Sequence, residues 1–194
     1  MSISSIILAG GRATRMNGAD KGLVLLQNNS LIQHVIARLK PQVDEILINA
    51  NREIVTYETF GYKVLQDEND DFLGPLAGFL LGFKHAQHEY VLTVPCDSPL
   101  LPLDLTKRLY NRMTEARADI AVASSDDNAH PVFCLMKKSV LSSLTEYLAN
   151  GGRKVSAWQK SQKNVEVDFS DCNEVFVNLN TFEDLRALEL KLGN

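Results

Sequence analysis

The stretch Ile6-Ile7-Leu8-Ala9-Gly10-Gly11-Arg12-Ala13-Thr14-Arg15-Met16-Asn17-Gly18-Ala19-Asp20-Lys21-Gly22 decides how the rest of the chain is read. An apolar run stops at a glycine pair, and a loop with the cations Arg12, Arg15 and Lys21 against the single carboxylate Asp20 follows. Glycines let main-chain N–H groups approach phosphate oxygens, and Arg and Lys neutralise the charge those oxygens gather. The loop therefore reads as a phosphate cradle at the end of a buried strand. It is not a Walker A loop, because no Gly-Lys-Ser/Thr closes it, and it lacks the Gly-x-Gly-x-x-Gly dinucleotide fingerprint.

Outward from this loop, apolar runs and helical stripes alternate. Strands are expected at residues 3–8, 45–49, 62–65, 90–94, 119–123, 132–136 and 165–169, with extended pieces at 23–26 and 175–178. Helices are expected at 30–40, 52–60, 74–86, 102–116, 139–148, 153–161 and from 181 onward. Ser30-x-x-Gln33 and Thr181-x-x-Asp184 read as capping boxes, Pro102 as a first-turn proline, and 124–129 as a polar loop. This alternation predicts one α/β domain over residues 1–194, a Rossmann-like three-layer α/β/α sandwich with a mostly parallel central sheet.

Composition narrows the partners. A net charge of -4 and a pI near 5.6 argue against a nucleic-acid-binding surface and against an anionic-membrane anchor, so an anionic ligand has to be met by a local cluster such as Arg12, Arg15 and Lys21. Cys96, Cys134 and Cys172 are widely spaced and odd in number, which fits buried small hydrophobes in a reducing compartment and neither a disulfide framework nor a zinc site. The N-terminus lacks a basic segment followed by a long apolar one, so a cytoplasmic protein without signal peptide or membrane span is expected.

In an open parallel sheet a ligand lies outside the carboxyl ends of the strands. Gly10 and Gly11 follow the first expected strand, Asn49 ends the second, Asp67 follows the third, and Asp97 follows the strand at 90–94. A nucleoside triphosphate needs N–H donors and cations for its phosphates, which the Gly10-Gly11 loop, Arg15 and Lys21 supply. It also needs a hard oxygen ligand for its divalent metal, for which Asp97 is best placed. Asn49 and Asp67 are candidates for the base and ribose, and a carboxylate suits guanine because N1–H and N2–H₂ donate side by side. Each also has a plainer reading: Asn49 as a turn residue, Asp67 as a cap, Asp97 as a turn former before Ser98-Pro99. Asp20 is read as an orienting partner for a loop cation. Cys96 has no base beside it in the sequence and is read as core.

Leu8-Ala9-Gly10-Gly11 with Arg15-Met16 and Asp20-Lys21-Gly22 resembles the signature loop of nucleotidyltransferases with a GT-A-like, Rossmann-type fold. Together with Asn49-Ala50-Asn51, Asp67, Gly74-Pro75-Leu76-Ala77-Gly78, Pro95-Cys96-Asp97-Ser98-Pro99, His130-Pro131 and Val177-Asn178-Leu179-Asn180-Thr181, the chain is similar to the molybdenum cofactor guanylyltransferase (MobA) family over about residues 5–187. The resemblance implies transfer of GMP from Mg-GTP to the phosphate of molybdenum-bound molybdopterin, with release of pyrophosphate. It implies GTP binding by Leu8, Ala9, Gly10, Gly11, Lys21, Asn49, Asp67 and Asp97, with Mg2+ on Asp97 and transition-state charge stabilised by Arg15 and Lys21. It implies a pterin end toward His130, Arg153, Asn178 and Asn180. These four are also readable as a histidine leading into a strand, a cation starting a helix and two turn asparagines. Other cofactor-biosynthesis or acceptor proteins are implied partners. Two rival readings remain at this level: a cytidylyl- or sugar-phosphate nucleotidyltransferase of the same fold, and a GTP-binding cofactor-delivery protein without turnover.

Overall fold

Parallel strands whose side chains are apolar on both faces need a helical layer on each side, and the sequence of strand β1 (Ile3–Leu8) has that pattern. Ile3 and Ile7 point to one face, Ile6 and Leu8 to the other, and Ile3, Ile6 and Ile7 are buried. The computed structural model describes residues 2–10, 20–67, 74–176, 179 and 181–192. After β1 come the hairpin strands β2 (Leu25–Leu26) and β3 (Asn29–Ser30), helix α1 (Leu31–Leu39), β4 (Glu45–Asn49), α2 (Ile54–Glu58), β5 (Lys63–Leu65), α3 (Pro75–His85) and β6 (Tyr90–Pro95). There follow α4 (Leu105–Glu115), β7 (Ile120–Ser125), β8 (Asn128–Lys137), α5 (Leu141–Ala149), α6 (Val155–Lys160), β9 (Asn164–Asp168) and α7 (Phe182–Leu192).

Among the described residues the main sheet has seven strands in the order β5-β4-β1-β6-β8-β7-β9. All pairings are parallel except those of β8, which runs against both β6 and β7. One face is covered by α1, α2 and α4, through Ile32, Val35, Tyr57, Leu105 and Leu109 against Ile7, Ile48 and Val94. The other is covered by α3, α5 and α6, through Phe79, Phe83, Leu144 and Trp158 against Val91, Val122 and Met136. The expected three-layer, mostly parallel sandwich is the observed one. Chain order steps outward from β1 to β4 and β5, then returns to place β6 on the other side of β1. That reversal between β1 and β6 is the switch point where such sheets open a crevice.

Several boundaries differ from those the sequence predicts. The expected polar loop at 124–129 is instead a tight hairpin: β7 runs to Ser125, β8 starts at Asn128, and Asp126 and Asp127 turn the chain with positive φ of 47° and 61°. Two consecutive left-handed residues are what a two-residue hairpin needs, and Asp tolerates that region without the usual glycine. The helix expected from Pro102 begins at Leu105. The piece at 23–26 is a 3-10 turn over Lys21–Leu23 followed by β2. The extended segment expected at 175–178 is, through Phe176, the end of a 3-10 stretch from Ser170; Val177 and Asn178 lie outside the described residues. At the Thr181 cap, Asp184 N–H donates to Thr181 Oγ1 at 3.1 Å and Thr181 N–H to Asp184 Oδ2 at 2.9 Å. Ser30 N–H likewise donates to Gln33 Oε1 at 2.8 Å.

Candidate nucleotide site at the carboxyl ends of four strands

Adjacent strands β5, β4, β1 and β6 end side by side, so the residues that follow them meet at one edge of the sheet. The ladder continues past the strands: Ala9 N–H donates to Asn49 O at 2.8 Å, Ala50 N–H to Leu65 O at 3.0 Å, and Cys96 N–H to Leu8 O at 3.1 Å. Leu8, Ala9 and Gly10 are thereby held against Asn49 on one side and Cys96-Asp97 on the other. Gly11 and Arg15, the remaining loop residues assigned from sequence, lie outside the described residues, as do Asn178 and Asn180.

The left half of the cluster is a polar network. Asn49, buried at the end of β4, donates its Nδ2 to Asp67 Oδ1 at 2.9 Å and to Leu65 O at 3.3 Å. Asn51 Nδ2 donates to Asp67 Oδ2 at 2.7 Å, and Asp67 N–H donates to Asn51 Oδ1 at 2.8 Å. Glycines make room for it. A Cβ on Gly10 would sit 3.1 Å from both Asn49 Oδ1 and Asn51 Nδ2, and one on Gly78 of α3 would sit 2.8 Å from Asn49 Oδ1 and 2.2 Å from Leu8 Cδ2. Gly78 is thus a close-packing residue, as is Gly82, where a Cβ would come within 2.9 Å of Ile6 Cγ2. Gly74 differs: it has open space around it but φ of +60°, a conformation that favours glycine just ahead of the helix.

The right half carries the charges. Lys21 Nζ lies 3.3 Å from Asp97 Oδ2, with side chains 23% and 12% exposed. Burial pushes the Asp97 carboxyl up from its ordinary range, and the Lys21 ammonium pulls it back. Lys21 is itself carried by a turn that is pinned from below. Asp20 is the N-cap of that turn, accepting from Gly22 N–H at 3.2 Å, and it accepts a short hydrogen bond from the Tyr57 hydroxyl. Tyr57 is fully buried on α2; burial together with the facing Cys96 thiol and Asp20 carboxylate pushes its phenol far above the ordinary value, so it stays a donor. Asp20, expected to orient a loop cation, has as its described contacts the cap on the turn that bears Lys21 and the hydroxyl of Tyr57. Tyr57 gave no signal in the sequence beyond an aromatic residue in a short polar helix. Cys96 is buried, its thiol pushed up by burial first and Asp97 second, in keeping with a core role. Cys134 is buried as well, and Cys172 is half-buried; all three are free thiols.

The residues assigned to an acceptor end divide. His130 lies in β8, and the pairing Thr93–Cys134 carries the start of that strand past the end of β6, on the Asp97 side. The β7–β8 pairing slips between Val122 and Ala123, and Pro131, which has no N–H to donate, falls in that irregularity. His130 Nε2 and Ser125 Oγ are 2.7 Å apart, and its ring stacks on Phe176 with centroids 4.5 Å apart. Leu179 N–H donates to Asp97 O at 3.2 Å, which holds Leu179 at the same strand end. Arg153 is not joined to this cluster by any described contact: its Nη1 donates to the carbonyls of Leu148 at 3.1 Å and Gly152 at 2.7 Å, bracing its own loop. Among the described residues no group of three or more His, Cys, Asp or Glu could hold a metal, and no helix is long and apolar enough to cross a membrane.

The chain as a whole is similar to known proteins. Residues 5–165 match the family model of the MobA-like NTP transferase domain. The chain is 47% identical over 190 residues to a molybdenum cofactor guanylyltransferase of Shewanella putrefaciens, covering 98% of this chain and 97% of that one. It is 49% identical over 195 residues to a molybdenum cofactor guanylyltransferase of Polynucleobacter asymbioticus, covering 98% of each. The molybdopterin-guanine dinucleotide biosynthesis protein A of Archaeoglobus fulgidus shares the fold, with a TM-score of 0.79, 20% identity, and coverage of 100% of this chain and 99% of that one. A family match over most of the chain, full-length relatives near half identity and a shared fold agree: the chain belongs to the MobA-like NTP transferase family.

Proposed function

We propose that this chain transfers GMP from GTP to the phosphate of molybdenum-bound molybdopterin, with release of pyrophosphate. The observation that carries the reading is an amide-braced carboxylate, Asp67, after β5 and a Lys21–Asp97 pair after β6, at the same edge of the sheet with β4 and β1 between them, in a member of this family. An acceptor phosphate oxygen attacks the α-phosphorus of GTP, the new phosphoanhydride bond forms, and the bond between the α- and β-phosphates breaks. No covalent enzyme intermediate is needed, because the nucleophile belongs to the acceptor.

The residues then have distinct tasks. Leu8, Ala9, Gly10 and Gly11 bring main-chain groups to the phosphates, and Arg15 and Lys21 stabilise the charge that builds on the departing pyrophosphate. Asn49 and Asp67 face the base. His130, Asn178 and Asn180 form the acceptor side, while Arg153, braced on its own carbonyls, serves there as a more distant part of the wall. Mg2+ fits this donor set: Asp97 is a nearly buried hard-oxygen ligand, and an ion held by one or two carboxylates, substrate phosphates and waters is the usual magnesium arrangement. Such an ion, held by Asp97, would neutralise phosphate charge during the transfer. Before nucleotide arrives, the Lys21 ammonium, 3.3 Å from Asp97 Oδ2, opposes the upward push that burial gives the Asp97 carboxyl.

Incubation of the protein with Mg2+, molybdenum-bound molybdopterin and each of GTP, CTP, ATP and UTP tests the proposal. The expected result is a guanine dinucleotide product with one pyrophosphate released per turnover. Incorporation of CMP in place of GMP, or nucleotide binding without pyrophosphate release, would overturn it.

A further inference from the structure

We propose that Asn51 is the positioning residue that sets guanine selectivity, by locking the orientation of the Asp67 carboxylate; this rests on the reading above that Asp67 faces the base. Asp67 follows β5, a strand of three residues at the edge of the sheet, which by itself fixes neither side-chain torsion of an aspartate. Asn51 makes a two-point grip on it. Its Oδ1 accepts the Asp67 main-chain N–H at 2.8 Å, and its Nδ2 donates to Asp67 Oδ2 at 2.7 Å, so one amide ties the backbone and the carboxylate of the same residue. Asn49 takes the other oxygen, Oδ1, at 2.9 Å.

Counting acceptor positions gives the consequence. An ionised carboxylate offers about four lone-pair positions, two on each oxygen. Among the described residues one donor occupies each oxygen, which leaves one position on each for a ligand. Guanine presents two neighbouring donors, N1–H and an N2 amino hydrogen, which match two oxygens held in a fixed plane. Hypoxanthine retains N1–H but lacks the amino group, and cytosine offers one amino donor beside acceptors. Asn49 is buried and also bonded to Leu65 O, so it braces β4 and β5 whichever base is bound. Asn51 is exposed and its described hydrogen bonds go to Asp67 alone, so its amide acts on the carboxylate plane without a share in the core.

The test is calorimetric titration of GTP, ITP and CTP in Mg2+ into the wild-type chain and the variants Asn51→Ala, Asn51→Ser and Asp67→Asn. Wild type is expected to prefer GTP to ITP by about tenfold, the worth of one well-made hydrogen bond to a charged group. Asn51→Ala is expected to lower that ratio by about fivefold while changing ITP affinity by less than about twofold, with Asn51→Ser behaving alike. A merely structural role would weaken all three nucleotides together and leave the ratio alone. An unchanged ratio in both Asn51 variants, with the ratio lost in Asp67→Asn, overturns the role of Asn51 and leaves the reading of Asp67 standing. An unchanged ratio in Asp67→Asn overturns that reading, and the proposal with it.

Discussion

Tyr57 is the residue whose loss should be felt furthest from its own position. Its hydroxyl reaches Asp20, Asp20 caps the turn over Lys21–Leu23, and Lys21 reaches Asp97 across the cleft. Tyr57→Phe keeps the ring in the core and removes only the donor, leaving a half-buried carboxylate short of a partner. A loss of about 1–2 kcal/mol in urea denaturation is expected, together with a fall in kcat larger than any rise in KM, because the turn it holds bears Lys21, the cation proposed to face the leaving group. His130 gives a pH prediction. Burial holds its imidazole below the ordinary value, so the unfolded chain takes up the proton first as pH falls. Its contribution is therefore fully present above the unfolded value near 6.5 and is lost as the pH drops through and below it. Denaturation midpoints at pH 7.5 and 5.5 should differ less in His130→Gln than in wild type.

At the scale of elements, α3 is held against β1 and β4 by the absence of side chains. Gly78→Ala would place a Cβ 2.2 Å from Leu8 Cδ2, and only a shift of the helix or of Leu8 relieves that. The expected cost is about 1–3 kcal/mol, with weaker nucleotide binding because Leu8 and Asn49 move together. Leu8→Ala in the Gly78→Ala background should recover part of both, a coupling that a double-mutant cycle measures. The elements themselves were largely legible. The run at 3–8, the stripe of α1 and the strands at 45–49 and 90–94 carry periodicity strong enough to read, and the four strand-end positions follow from them. What was not legible depended on partners distant in sequence. The Asp126-Asp127 turn looks like a polar loop until β7 and β8 pair. The reversal of β8 goes with that short turn, because no helix separates the strands expected at 119–123 and 132–136 and only a crossover could have made them parallel. Arg153, with a loop cation's profile, is turned onto the carbonyls of its own loop by local geometry that composition does not encode. Asn51 stood in a recognised Asn-x-Asn motif, but its grip on Asp67 required β4 and β5 to be neighbours.

For the whole molecule, the sheet order explains why an acidic chain can hold a polyanion. The chain carries a net charge of -4, yet the edge of the sheet at the reversal between β1 and β6 brings together the Gly10 backbone at the end of β1 and the ammonium of Lys21. Opposite them stands one nearly buried carboxylate, Asp97, paired with Lys21 at 3.3 Å. This carboxylate is proposed to hold the divalent ion that lets two polyanions meet. Asp97→Asn preserves shape and removes the charge, so the direct measurement is pyrophosphate release from GTP in the presence of Mg2+ and molybdenum-bound molybdopterin, beside a thermal denaturation curve. An unchanged fold and a rate lower by about a hundredfold or more are expected; a folded Asp97→Asn protein that releases pyrophosphate at the wild-type rate would show that Asp97 does not hold the ion.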